Sequence, residues 1–199
     1  MRDLMPGYNP GLVTGGVTKP PDLSKNIAHS LDFVKPKIGD PFMLSEKART
    51  QIDELKGKYP DLKSALLPAL EIAQQEHGWL SEEVIQEVGQ VMDLPPTEVA
   101  SVASFYTMLY TQPVGEHVIQ VCTNISCSLL GAEHIVDYIS RKLGIGVGQT
   151  TPDGKFTLLA VECLGSCGTA PMMQVDETYY ENLTEEKIDR ILGELAQGQ

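Results

Sequence analysis

The chain has 199 residues, 27 of them acidic and 15 basic, for a formal charge of −12 at neutral pH. So acidic a surface lacks the basic stripe that phosphate contacts require and does not favour anionic lipid, so nucleic acid and membrane surfaces are set aside and proteins with a neutral or basic face are expected as partners. No run is long and apolar enough to insert directly into a bilayer, and the first residues carry neither a secretory signal nor the Arg-rich, acid-poor composition of a transit peptide, which points to the cytoplasm.

Residues 1–43 hold six of the thirteen prolines and show no apolar period, which reads as an extended Pro/Gly-rich arm. From Ser45 the pattern turns helical. Ser45 suits the cap of a helix running to about Lys58, stopped by Tyr59-Pro60. A second helix follows Asp61 with Leu62, Leu66, Leu70 and Ala73 on one stripe, and Pro68 inside it predicts a kink or a missing hydrogen bond. His77-Gly78 is its stop. Ser81 opens a third helix with Glu82 and Glu83 where the dipole favours acids, and Val84, Ile85, Val88, Val91 and Met92 face inward. After Pro95-Pro96 a fourth helix carries Val99, Val102, Ala103 and Tyr106. Short helices with brief connections make residues 44–112 a small helical bundle.

Beyond Pro113 the period changes. His117 to Thr123 reads as a strand, and Leu129 to Leu143 as a long helix with Leu129, Ala132, Val136, Ile139 and Leu143 aligned. Phe156 to Val161 and Met172 to Val175 are further strands, with a short fourth near Thr178. Thr184 caps a last helix with Ile188, Ile191, Leu192 and Leu195 inward. The order is βαβ followed by ββα, so 113–199 forms a small sheet with helices packed on it, and the class is α+β.

The chemistry rests on four cysteines, Cys122, Cys127, Cys163 and Cys167, spaced C-x4-C, 35 residues, C-x3-C. Each pair leaves the end of a strand. If those strands are neighbours, four sulfurs meet at one edge of the sheet. Four thiolates suit a [2Fe–2S] cluster, and Gly165 and Gly168 allow close backbone approach with N–H donors to sulfur, as does the start of a helix after Cys127. Structural zinc also takes four cysteines, so a zinc-stabilised interaction module stays open on spacing alone. A thiol–disulfide enzyme expects C-x-x-C, which neither pair has.

The stretches Val121–Cys127, reading VCTNISC, and Val161–Met173, reading VECLGSCGTAPMM, resemble the small [2Fe–2S] subunit of the NADH dehydrogenase module of respiratory complex I. Leu67-Pro68-Ala69-Leu70, His77-Gly78-Trp79-Leu80 and Ser104-Phe105-Tyr106-Thr107 are similar to that family's helical region. The resemblance spans about 44–195 and leaves the arm uncovered. It implies a thioredoxin-like ferredoxin domain after the helical bundle, with cluster and metal ligands at Cys122, Cys127, Cys163 and Cys167. It further implies a partner subunit that binds FMN, NADH and a [4Fe–4S] cluster, neighbours in the complex's peripheral arm, and one-electron exchange with the flavin in an NADH:quinone oxidoreductase. By that resemblance the chain is an electron carrier without its own substrate site, held on the cytoplasmic side of the inner membrane through the complex. Related subunits serve NAD-linked hydrogenases and formate dehydrogenases.

Other candidates read as structural. His77 is a helix-end residue, His134 a surface one, and Trp79 a staple between helices. Phe105 and Tyr106 read as core packing. Gly144 to Gly148 follows a helix and is spaced G-x-G-x-G, so it is a helix stop and not a nucleotide loop. Asp176, Glu177, Glu181, Glu185 and Glu186 read as a solvated face. Thioredoxin-like folds often carry a cis-proline before a strand, which makes Ala170–Pro171 a candidate. No catalytic set of Ser, His and acid is apparent.

Overall fold

The computed structural model describes residues 43–198, so the expected arm lies outside the described residues apart from Met43. Helix α1 (Glu46–Leu55) is capped by Ser45, whose Oγ accepts from the Ala48 N–H at 3.2 Å, and ends three residues short of Lys58 in a turn. Helices α2 (Leu66–His77), α3 (Glu82–Met92) and α4 (Pro96–Phe105) follow. Ser81 Oγ caps α3 through the Val84 N–H at 3.2 Å. The four share one apolar core that includes Ile52, Leu66, Leu70, Leu80, Val88 and Met92. The kink expected at Pro68 does not arise. Leu62–Ala65 form a 3-10 turn and α2 starts only at Leu66, so Pro68 stands in the first α-helical turn, where no N–H is needed.

The sheet has five strands in the order β2-β3-β1-β4-β5. They are β1 (His117–Cys122), β2 (Gln149–Thr150), β3 (Phe156–Val161), β4 (Met173–Val175) and β5 (Thr178–Tyr180). Strands β1 and β3 run parallel, with Cys122 opposite Val161, and the remaining pairs are antiparallel. Two residues give no warning of β2, which is short and lies on the edge. Gly115 sets the register of the central pair. A Cβ there would stand 2.9 Å from the backbone of Lys155 and Phe156, and its N–H donates to Thr157 Oγ1 at 2.6 Å.

The long helix expected from Leu129 is two helices, α5 (Ile125–Leu129) and α6 (Ala132–Leu143). Gly131 takes φ +92°, a left-handed conformation that breaks the helical run and is open to glycine. Leu129 therefore leaves the expected stripe and is 81% exposed. Ala132, Ile135 and Ile139 are the buried face of α6. Helix α7 (Glu185–Ala196), capped by Thr184, buries Ile188, Ile191 and Leu192 in the same core as Ile119, Val121 and Leu158. Tyr138 Oη donates to Asp189 at 2.6 Å and Lys142 pairs with the same carboxylate at 2.7 Å, tying α6 to α7. Among the described residues no helix is long and apolar enough to cross a membrane.

Gln74 also holds the segment that follows α4. Its amide donates to the Met108 carbonyl at 2.9 Å and accepts from the Tyr110 N–H at 2.6 Å. Tyr110 Oη in turn accepts from Gln120 of β1 at 3.3 Å. Phe105, expected in the core, is instead 77% exposed, because it ends α4 beyond the last inward residue, Ala103. Replacing fully buried Leu158 with Ala should cost about 2 to 5 kcal/mol of stability, and Ala160→Ser, at an exposed position toward the end of the same strand, less than about 0.5 kcal/mol. Urea unfolding checks this, and equal effects at the two positions would contradict the packing.

Candidate metal centre

Both cysteine pairs lie at one edge of the sheet. Cys122 is the last residue of β1, and Cys163 follows the end of its parallel neighbour β3 by two residues. Parallel strands share their C-terminal edge, so the loops that follow them start side by side. Thr123 fastens the first loop to the second strand, its N–H and Oγ1 both donating to the Val161 carbonyl, at 2.8 and 2.9 Å. The helix expected to start after Cys127 instead starts before it, so Cys127 lies within α5.

The second loop is held from the far side. Tyr179 Oη of β5 donates to the Leu164 carbonyl at 2.7 Å. The Glu181 carboxylate accepts from Ser166 Oγ and from Thr169 Oγ1, and these hydroxyls hold it below the usual carboxylate range. Ala170–Pro171 is cis, and the Met172 carbonyl that follows accepts from the Cys122 N–H at 3.2 Å.

The four thiols are free, and they differ in environment. Cys122 and Cys127 are buried with Met172 and Ala132, whereas Cys163 and Cys167 are exposed. Burial pushes the Cys122 thiol up, but N–H groups of Leu164 and Asn124 and the Cys127 thiol outweigh it, and the net shift is downward. Cys127 is raised, by burial and by its neighbour Cys122, against one N–H from Met172. Cys167 is raised by Cys163 beside it, and the Ser126 hydroxyl opposes this in part. The N–H of Gly165, which takes φ +84°, points to Cys163 Sγ at 3.4 Å. Gly168 has no such role; its φ is not left-handed. The loops thus serve each other's sulfurs: Leu164 of the second donates to Cys122 of the first, and Ser126 of the first to Cys167 of the second.

These residues fit a two-iron cluster. Cys163 Sγ and Cys167 Sγ are 3.7 Å apart. A disulfide would need about 2.05 Å, whereas two sulfurs on one tetrahedral metal at about 2.3 Å each are about 3.8 Å apart. Among the described residues no three His, Cys, Asp or Glu side chains gather around a point that one ion could fill. A [2Fe–2S] core asks for two thiolates per iron, because bridging sulfides complete each tetrahedron.

The other candidates fall outside this edge. His77 ends α2, its Nε2 buried without a hydrogen-bond partner among the described residues, and Glu76 Oε1 lies 4.0 Å away. His134 pairs with Glu185 on the surface at 2.8 Å. Gly144 stops α6. The acids do not act as one face. Asp176 accepts from the Val118 N–H at 2.9 Å and contacts His117, Glu181 holds the second cysteine loop, and Glu185 pairs with His134. Glu181 is a site-supporting residue that the sequence reading missed; its only local sign is an acid fourteen residues past Cys167.

In the cluster-free chain, a water-soluble thiol reagent should modify Cys163 and Cys167 well before Cys122 and Cys127 under native conditions. Mass mapping of the labelled peptides checks this, and equal rates at all four would contradict the burial.

Residues 52–196 match the family model for the thioredoxin-like [2Fe–2S] ferredoxin, a span that includes all four cysteines. An NADH-quinone oxidoreductase subunit from Rhizobium meliloti is 45% identical over 144 residues, covering 72% of this chain and 86% of the relative. NADH-quinone oxidoreductase subunit 2 of Thermus thermophilus is 44% identical over 151 residues, covering 74% and 83%. Among solved structures, an NAD+-reducing [NiFe]-hydrogenase in its hydrogen-reduced state superposes with a TM-score of 0.59 at 25% identity. That match covers 67% of this chain but only 22% of the hydrogenase chain. With a family match over most of its length and relatives near half identical, this chain belongs to the thioredoxin-like [2Fe–2S] ferredoxin family.

Proposed function

We propose that Cys122, Cys127, Cys163 and Cys167 ligate one [2Fe–2S] cluster, and that the chain is the small electron-carrying subunit of an NADH:quinone oxidoreductase. The observation that carries the reading is the edge itself: two thiol pairs where parallel neighbouring strands end, one pair at a tetrahedral separation of 3.7 Å. When bound, such a cluster supplies one-electron redox chemistry.

The chain's residues would do the rest. Cys122 and Cys127 would ligate from a buried position beside Met172 and Ala132. Cys163 and Cys167 would ligate from the surface, where a partner can approach. The N–H groups of Asn124, Leu164 and Met172 favour the thiolate form of the sulfurs they face, and the Gly165 N–H points to Cys163 Sγ. Reduction adds one negative charge, which an acidic chain opposes, so the centre should have a low potential.

The named relatives near half identity are NADH-quinone oxidoreductase subunits, which favours that host over an NAD-linked hydrogenase, seen only at 25% identity. In that setting the electron partner is the flavin of the subunit that binds NADH and a [4Fe–4S] cluster, and the chain sits peripherally, on the cytoplasmic side of the membrane. Exposed Ile125, Leu129 and Leu130 on and beside α5 suit a protein neighbour there.

The full chain reconstituted with iron and sulfide should hold two of each, be reddish-brown, and give a paramagnetic signal only when reduced. Cys163→Ser should lose most of the visible absorbance and that signal. Zinc without sulfide, or a serine variant with full absorbance, would overturn the ligand set. Mixed with its flavin-bearing partner, the cluster should be reduced by NADH, and without the partner it should not.

A further inference from the structure

The two segments that build the cysteine edge are nearly free of formal charge. From Val118 through Ala132 there is no acidic or basic residue, and from Phe156 through Val175 there is one, Glu162, in a chain of which 21% is charged. Glu162 immediately precedes Cys163 and is exposed. Its Oε2 accepts a hydrogen bond at 3.2 Å from Nδ2 of Asn124, which belongs to the other cysteine loop. One carboxylate is therefore strapped across the seam between the two loops, in the bend that joins β3 to Cys163. None of the ion pairs among the described residues involves it. Glu181, the acid that braces the second loop from beyond β5, differs in that Lys187 offsets its charge and two hydroxyls solvate it.

Resting on the cluster assignment above, we propose that Glu162 is a potential-setting residue: a fixed negative charge, aimed across the two cysteine loops by Asn124, that holds the reduction potential of the centre down. The reasoning is Coulombic. Reduction adds an electron to a group that is already negative, and a nearby carboxylate raises the energy of the reduced form more than that of the oxidised form. Glu162 is the one acid within these two segments of sequence and is bonded in the chain to Cys163, so one substitution removes that local charge. Because Glu162 is exposed, dissolved ions should screen it. Glu162→Gln is the informative change. Its amide oxygen can still accept from Asn124, so the strap between the loops stays while the charge goes.

The test is potentiometric titration of the cluster-loaded full chain, followed by visible absorbance and the paramagnetic signal of the reduced state, at low and high ionic strength. At low salt and at the wild-type midpoint, Glu162→Gln should raise the ratio of reduced to oxidised centre about fivefold, a tenfold change being 59 mV for one electron. The gap should narrow at high salt, and Glu162→Asp should stay near wild type. An unchanged midpoint with normal spectra would overturn the proposal. So would a shift of the same size at both salt concentrations, which would mark a structural effect rather than a charge effect. Should the wild-type chain show no cluster signal at all, the ligand assignment itself fails, and the two failures are thereby distinguishable.

Discussion

The parallel pairing of β1 with β3 is the constraint on which the site depends. Each strand ends in a cysteine loop, and parallel strands end at the same edge of the sheet. Had β3 run the other way, the same loops would stand apart by the length of the six-residue strands, about 20 Å, and no cluster could bridge them. Parallel pairing in turn requires a crossover, which α6 supplies by packing its Ala132, Ile135 and Ile139 face over β1 and β3. Gly115 lets the chain lie against the start of β3 and fixes where the two strands pair, so it acts on the cysteines from the opposite end of the sheet.

On that frame the two thiol pairs receive opposite treatment. The inner pair is taken out of water and repaid with backbone donors, so its sulfurs lie in a fixed dipolar environment. The outer pair stays at the surface, in a loop braced from outside by Tyr179 on β5 and by Glu181 beyond it, which accepts from the loop's own Ser166 and Thr169 hydroxyls. Antiparallel β4 and β5 therefore do more than extend the sheet. They bring the chain back so that its later residues can brace the second cysteine loop. A site arranged in this way joins a protected half to an accessible half.

The acidity of the chain bears on this site mainly by where it is absent. The loops around the cysteines are almost uncharged, and the exposed side chains beside them are apolar, Ile125, Leu129 and Leu130. Charge depletion with exposed apolar groups is the composition of an interface core, and self-association of two chains each carrying −12 would oppose itself electrostatically. A partner of different charge is the better fit.

Much of this was legible in the residues alone. Side-chain caps at Ser45, Ser81 and Thr184 act within three residues of themselves, and the apolar periods of α3, α7 and β3 repeat within one element, so local physics is enough to place them. The two cysteine spacings and their position after strands are local as well. What local physics could not supply lay in contacts between distant segments. Gly131 breaks what reads as one helix, because a preference for φ above zero leaves no mark in an apolar period. Pro68 is harmless because the 3-10 turn before it moves the helix start, and Phe105 faces outward because the helix ends beyond the core. The burial of one thiol pair and the exposure of the other, the bracing of the second loop by Glu181, and the Asn124–Glu162 strap join residues 12 to 38 positions apart. Composition and spacing determined that four thiols were available in two pairs; only the parallel register of two strands decided that the pairs share one edge of the sheet, and the packing around that edge decided which pair water reaches.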